Sequence, residues 1–514
     1  MFMRSASQPT LPTKTLFIGL DCATYWIVEE MVKKGDLPHL SALMNNGVTF
    51  RTETEEPVVS PVVWSSIASG KVPDKHGIKS FHGTSASVRT KRIWDLFEER
   101  GYPVGVMGHF VTWPPRQING FMIPDLLALD AQTHPEEYSF IRHLTESSKA
   151  GKRQPLGEML KFALTAWQSG IRLTTLFQAA IELVKRKFGA RDFRDVQYQV
   201  RVLKQRIYSD LFIALCQKFQ TKYAYFHNHL IDTSSHIFWQ YLEPEKFDGV
   251  SSADVAKFGN RLYEAYREAD RTLGKMVQLA DASTLVVVAS DHGAKAAVNQ
   301  ALEWRIPAIN TEHLMHKLGI ERDVSYSNVG FDIMVKPRIE APGSKEKLRE
   351  LFLSIDLQED SVPLFSILEH DTSNLWLRLN NRIADTRGRH IRMRDQVYAL
   401  DEFVVTSGHR TSGVHDGKNA ILVMQGPGLK AGVKFKEKAQ VLDIIPTILA
   451  LNNMPVGRDM DGRVLDEALT NDFQTRYPVQ HIASYDDPET GREAEADMES
   501  SEELKSQLRA LGYL

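Results

Sequence analysis

Cysteine is almost missing: among 514 residues only Cys22 and Cys216 occur. Two isolated thiols without Cys-x-x-Cys spacing exclude a disulfide framework and a thiolate zinc or redox motif, and they fit a reducing, cytoplasmic setting. Long apolar runs are missing too. No stretch approaches the ~18 residues of a membrane span, and the opening MFMRSASQPTLPTKT holds no apolar leader, so neither span nor anchor is expected. There is no overall excess of positive charge, the formal net charge being -3, which argues against a dedicated nucleic-acid binder. A fixed internal repeat is also lacking. What remains is the composition of an ordinary folded protein, 42% hydrophobic and 25% charged. The chain is long enough for one large core or several average domains, and nothing in it speaks to oligomeric state.

The charge is spread unevenly. Arg142 through Lys222 holds 16 Lys and Arg against 6 Asp and Glu, a local excess of +10 that leaves -13 for the remainder. This segment, about 135–222, reads as long amphipathic helices with little strand signal and is expected to be an inserted helical cap. Its positive charge is either a lid that attracts an anionic substrate or the solvated face of an enlarged helical layer. From Ser484 to Glu503 the chain is acidic and poor in aromatics, as in a flexible tail, and the closing LKSQLRALGYL suits a short helix.

Elsewhere strands and helices alternate. TLFIGL (Thr15 to Leu20) ends in Asp21 and TLVVVA (Thr284 to Ala289) ends in Ser-Asp-His-Gly; both look like buried parallel strands. Tyr223 to Ile231, closing on Asp232, and Ala420 to Met424, just after His415, are two more candidates. Between them, Asp254 to Ala280 carries apolar residues at spacings of three and four and predicts a helix with one buried face. The expectation is an α/β fold with a mostly parallel central sheet and helices on both faces.

Polar residues with metal or phosphate chemistry collect at the strand ends. Ser60, in PVVSPVVWSSIASG, is placed to cap a helix with Pro61 at its first position, and a helix start favours a bound phosphate. Asp291-His292 follows an apolar strand directly, where α/β enzymes keep their ligands. Asp232 and His236 stand i, i+4, so a helix beginning there puts both on one side. Each has a plain alternative: Ser60 and Asp232 as caps, His236 as a core histidine, Asp291 as an acceptor for loop N–H groups. Three apolar strands each ending in an acid, two with a histidine nearby, are more than capping requires.

These blocks come in a recognisable order: LFIGLD, LPHLSALMNNGVTF, the Ser60 stretch with GKVPDKHGI, VTWPPRQINGFMIPD, DTSSHIFWQY, VASDHG, GVHDGKNAILVMQGPGLKAG and VLDIIPTILALNNMPVGRDMDGRVL. From Thr15 to about Leu465 the chain resembles the alkaline phosphatase superfamily and, within it, the type I phosphodiesterase and nucleotide pyrophosphatase group. The resemblance implies a catalytic domain from 15–134 and 223–483, flanked by an extension at 1–14, the cap insertion at 135–222, and a tail with a short helix at 484–514. It implies a hydrolase of phosphoric esters acting on a small phosphorylated substrate, with Ser60 as nucleophile and two divalent metal ions. One ion would take Asp21, the Ser60 oxygen, Asp291 and His292; the other would take Asp232, His236 and His415. His409 competes for the last place, which His415 fills better because it lies just before the strand starting at Ala420. The donors suit zinc, and manganese accepts the same set. Two such ions roughly 3.5–4 Å apart clamp an in-line displacement. The implied cycle is attack by Ser60, a phosphoseryl intermediate, then hydrolysis.

Two features depart from that group. Phe81, in HGIKSFHG, stands where the better-known members carry an asparagine that holds a phosphoryl oxygen, and Pro61 removes an N–H beside the nucleophile. Lys79 or His82 is the candidate replacement for substrate binding, whereas His76 is expected to shape the turn. No Arg follows Ser60 in the sulfatase manner, so sulfate esters are disfavoured. The alternatives are a phosphomonoesterase, a phosphotransferase or mutase of the same superfamily, and a silent binding protein that retains the fold.

Overall fold

The apolar runs become the middle of a nine-stranded sheet in the computed structural model of the protein. The structure describes residues 10–81, 83–128, 130–141, 156–188, 192–247, 250–297, 308–329, 332–339, 341, 343–359, 361–368, 375–380, 389–394, 396–405 and 412–486. They divide into two compact units. One takes the described residues of Met1–Ser235, Phe258–Lys295 and His415–Ala496; the other takes those of His236–Lys257 and Ala296–Val414.

The sheet belongs to the first unit. In chain order its strands are β1 (Lys14–Leu20), β2 (Val48–Glu53), β3 (Val104–Met107), β4 (Gly120–Ile123), β5 (Tyr223–Asn228), β6 (Thr284–Ala289), β7 (Ala420–Gln425), β8 (Val433–Lys434) and β9 (Ala439–Gln440). In space they run β8-β2-β7-β6-β1-β5-β3-β4, with β9 also on β2. The α/β reading holds: pairings are parallel except at β7, which is antiparallel to both β2 and β6. An apolar run reports burial on both faces and says nothing of direction. All residues of β3 to β6 are buried, which explains why these strands read as continuous runs instead of alternating ones. β5 is the exception in kind, since its buried positions include His227 and Asn228.

The helices that frame the strand ends and carry the basic segment are α1 (Ser60–Ser69), α2 (Leu156–Gln168), α3 (Leu173–Phe188), α4 (Phe193–Phe219), α5 (Leu230–Leu242) and α6 (Arg261–Met276). The basic segment contributes α2, α3 and α4; 142–155 and 189–191 lie outside the described residues. The single helix expected over Asp254 to Ala280 is broken into Ser252–Phe258, α6 and a short 3-10 turn at Val277–Leu279. The first break falls at Gly259-Asn260, two weak helix formers that an apolar spacing passes over. The strand expected over Tyr223 to Ile231 stops at Asn228, and α5 starts at Leu230, so Asp232 sits in a first helical turn. Of the acidic tail only Ser484, Tyr485 and Asp486 are described.

The second unit has its own core, with Leu314, Met315, Val335, Phe352, Leu357 and Leu377 fully buried. It is built on two four-stranded sheets, each antiparallel throughout. The sequence reading did not set this unit apart.

Candidate active site

Register brings the strand ends level. Gly19 pairs with His227 on one side and with Ala289 on the other, so Asp21, His229 and Asp291 emerge along one edge at the carboxyl ends of β1, β5 and β6. The chain leaves β1 through Cys22 at φ 65, a region rare for residues other than glycine. That turn lets the Cys22 N–H donate to Asp291 Oδ1 at 3.3 Å.

Ser60, Asp21, Asp291 and His292 come together with no exposure to solvent. Ser60 Oγ lies 3.2 Å from His292 Nε2 and 3.5 Å from Asp21 Oδ1. His292 Nε2 is 3.2 Å from Asp291 Oδ2. The capping expectation is corrected by one position: Val59 is the cap, Ser60 is the first residue of α1, and no side chain caps this helix. The hydroxyl is thus turned to the acids rather than to the helix N–H groups.

A second group adjoins the first. His415 Nε2 lies 3.6 Å from Asp232 Oδ1, and the rings of His292 and His415 stack at 3.8 Å between centroids. His236 follows Asp232 by one turn of α5, on the same side of the helix. Three histidines share a habit. Nδ1 of His292 donates to Gly293 O (3.0 Å), that of His415 to Val58 O (2.8 Å) and that of His236 to Gly413 O (2.8 Å). A carbonyl only accepts, so each bond fixes the tautomer in which Nε2 carries the lone pair, as in a histidine prepared for a metal.

Asp21 is held from behind by residues the sequence reading missed. Its Oδ2 lies 3.1 Å from His227 Nε2 and 3.2 Å from His229 Nδ1. The Tyr225 hydroxyl is 2.7 Å from His227 Nδ1. Burial pushes the Tyr225 phenol well above its ordinary pKa, so it keeps its proton and donates it to Nδ1. His227 then donates from Nε2 to Asp21. Gly19 makes room, because a Cβ there would stand 2.6 Å from the Tyr225 hydroxyl and 2.8 Å from the Trp64 ring. The signal was present as a period of two, Tyr223, Tyr225, His227 and His229, with histidines in an otherwise apolar strand.

The electrostatics ask for a cation. Burial raises Asp21 well above the usual carboxylate range, and the charges of Asp291 and Asp232 raise it further. Burial also raises Asp291, to about 6, with His415 opposing and Asp232 adding to the shift. Burial lowers His415, but the bond to Asp232 and the acids around it hold it above its ordinary value. Among the described residues the ion-pair partners of Asp21 and Asp291 are histidines, with no Lys or Arg. Buried carboxylates clustered in this way pair with cations or metals. Asp21, Asp291 and His292 offer ligand atoms within 4.8 Å of one another. Oxygen and imidazole donors of this kind fit zinc or manganese.

Lys79 takes no part in this cluster. It is 66% exposed and pairs with Asp74 at 2.8 Å on the surface. His82 and His409 lie outside the described residues. Phe81 is buried. His76 is buried as well; its Nδ1 accepts the Ile78 N–H at 3.1 Å and its Nε2 meets Ser66 Oγ at 3.0 Å, which closes the turn.

The profile of the type I phosphodiesterase / nucleotide pyrophosphatase family matches residues 15–337. The chain belongs to this family. Among solved structures it is similar to a mutant of the alkaline phosphatase PafA, at 15% identity and a TM-score of 0.48, covering 90% of this chain and 100% of that one. It is also similar to the murine ectonucleotide pyrophosphatase / phosphodiesterase 5, at 11% identity and a TM-score of 0.44, covering 89% of this chain and 100% of that one. No curated protein matches. As a type I phosphodiesterase family member, the protein is a phosphoric ester hydrolase of the metal-dependent alkaline phosphatase superfamily.

Proposed function

We propose that the protein is a phosphodiesterase or nucleotide pyrophosphatase that uses Ser60 as nucleophile beside two divalent ions, zinc in preference to manganese. The observation that carries this reading is the Ser60 hydroxyl, wholly buried at the start of α1 and 3.2 to 3.5 Å from His292 and Asp21. Asp21, the Ser60 oxygen, Asp291 and His292 would hold one ion, and Asp232, His236 and His415 the other. Bound there, the ions supply positive charge that acidifies the serine and steadies the leaving oxygen.

The protein's own groups do the rest. Ser60 Oγ forms a bond to phosphorus as the bond to the leaving oxygen breaks; water then cleaves the phosphoseryl ester and restores the hydroxyl. The positive end of the α1 dipole favours the phosphoryl group, although Pro61 lacks an N–H and the Val62 and Val63 N–H groups are already bonded to Val59 O. The Nδ1 bonds to Gly293, Val58 and Gly413 keep three imidazoles in the ligating tautomer. The two buried, unpaired cysteines support a reducing, cytoplasmic setting.

The test is metal analysis of the purified protein together with hydrolysis of bis(p-nitrophenyl) phosphate and p-nitrophenyl phosphate. Ser60→Ala is expected to lower kcat by about a thousandfold or more. A protein without bound metal, whose rate is unchanged by that substitution, would sink the reading. A strong preference for the monoester would move it to a phosphomonoesterase.

A further inference from the structure

Helix α3 is turned inside out for a helix that faces water. Two of its polar residues point inward: Thr175, 2% exposed, donates to Asp210 Oδ2 at 2.6 Å, and Glu182 is buried. Four of its large apolar residues point out. Leu173, Phe177 and Ile181 follow at i, i+4, i+8 on one exposed face, with Val184 close behind. Leu160, Leu164 and Trp167 do the same on α2, across the short connection Ser169 to Arg172. Of the twelve large hydrophobic side chains exposed among the described residues, seven stand on this one hairpin, each between 36% and 67% exposed. Scattered apolar residues need no partner, but a continuous stripe marks an interaction surface.

The charges around the stripe choose the partner. Lys161, Arg172 and Lys185 are exposed at its margins; Arg172 and Lys185 approach Asp210 and Glu182 only to 3.7 and 3.8 Å. The segment as a whole carries 16 basic against 6 acidic residues. Two copies meeting through this face would bring like charges together, whereas an anionic lipid surface complements them. At 13 and 16 residues the helices are shorter than the ~20 of a span, and they have the form that lies in the plane of a bilayer interface. Trp167 and Phe177 are side-chain types that anchor such helices.

We propose that the α2–α3 hairpin docks the protein on anionic phospholipid, with the apolar stripe in the headgroup and acyl boundary and the basic fringe on the headgroups. The inference is independent of the chemistry assigned to Ser60. It is tested by flotation of the full chain with phosphatidylcholine vesicles made with and without phosphatidylserine. The protein is expected to float with the phosphatidylserine vesicles and to be released by salt. Leu164→Gln with Phe177→Gln should cut the bound fraction by about tenfold or more. Lys161→Glu with Lys185→Glu should remove the preference for phosphatidylserine. Both pairs are at exposed positions, and solution hydrolysis of a small diester and the melting temperature should stay unchanged. Wild-type protein that does not float overturns the proposal, as does binding that survives the apolar pair. A wild-type dimer that ignores vesicles and becomes monomeric with the Gln pair also overturns it, assigning the face to a second copy.

Discussion

The two oxygens of Asp21 have different tasks. Oδ1 faces Ser60, while Oδ2 accepts from His227 and His229. Support of this kind governs metal affinity by about 10- to 100-fold. His229→Ala is therefore expected to weaken zinc binding by that order, measured by competition with a chelating dye on metal-stripped protein. His229→Asn, whose amide N–H falls near the lost Nδ1–H, should retain most of it; equal losses in both variants would contradict the positioning role. Asp291 offers a second test with a definite sign. Its folded pKa of about 6 lies above its ordinary value, so its stabilising contribution in the metal-free protein is complete at low pH and is lost as pH rises through 6. Asp291→Asn should thus raise the melting temperature of the metal-free protein more at pH 7 than at pH 4, while abolishing metal uptake at its site. At this scale Asp21, Ser60, Asp291 and His292 were legible because each ends an apolar run or opens a helix. His227 and His229 were not, because a buried strand was read for its apolar average.

At the scale of elements, the sheet was legible from four apolar runs, but strand direction was not: β7 looks like its neighbours in sequence and runs against them. Helix faces were equally ambiguous. The spacing on α3 marks one apolar side without saying whether it is covered, and burial of Thr175 and Glu182 settles which side is inside. The start of α1 moved by one residue, which turned Ser60 from a cap into a side chain facing the acids. Close packing between elements yields a further prediction. Gly19→Ala would push a methyl against Tyr225 and Trp64, so a loss of about 1–3 kcal/mol in chemical denaturation is expected. Zinc affinity should fall with it, through displacement of Tyr225 from His227.

At the scale of the molecule, the first unit is tied from its early segments to its late ones. Lys71, only 3% exposed, reaches Asp459 at 2.5 Å and Asp486 at 2.6 Å, and the Lys91 N–H also donates to Asp486 at 2.8 Å. Lys71→Met leaves two partly exposed acids side by side, and a loss of about 1–3 kcal/mol on urea denaturation is expected. A change below about 0.5 kcal/mol would show the clamp to be incidental. The second unit escaped the sequence reading for a physical reason: its strands span two to six residues, too few for periodicity to declare a separate core. The basic segment was legible as helical and cationic, and only the structure joins its charge to an exposed apolar stripe.

The register of β1 against β5 reaches beyond architecture. Gly19 lies opposite His227, and a slip of one residue would send every β5 side chain to the other face of the sheet. Tyr225, His227 and His229 would leave Asp21, and Ala224 and Phe226 would take their place. A mispaired chain could bury as much apolar surface, yet Asp21 would lose its support from His227 and His229. On the proposed metal-dependent reading, metal uptake during refolding would count correctly paired molecules, and the ion would proofread the fold before serving as a reagent.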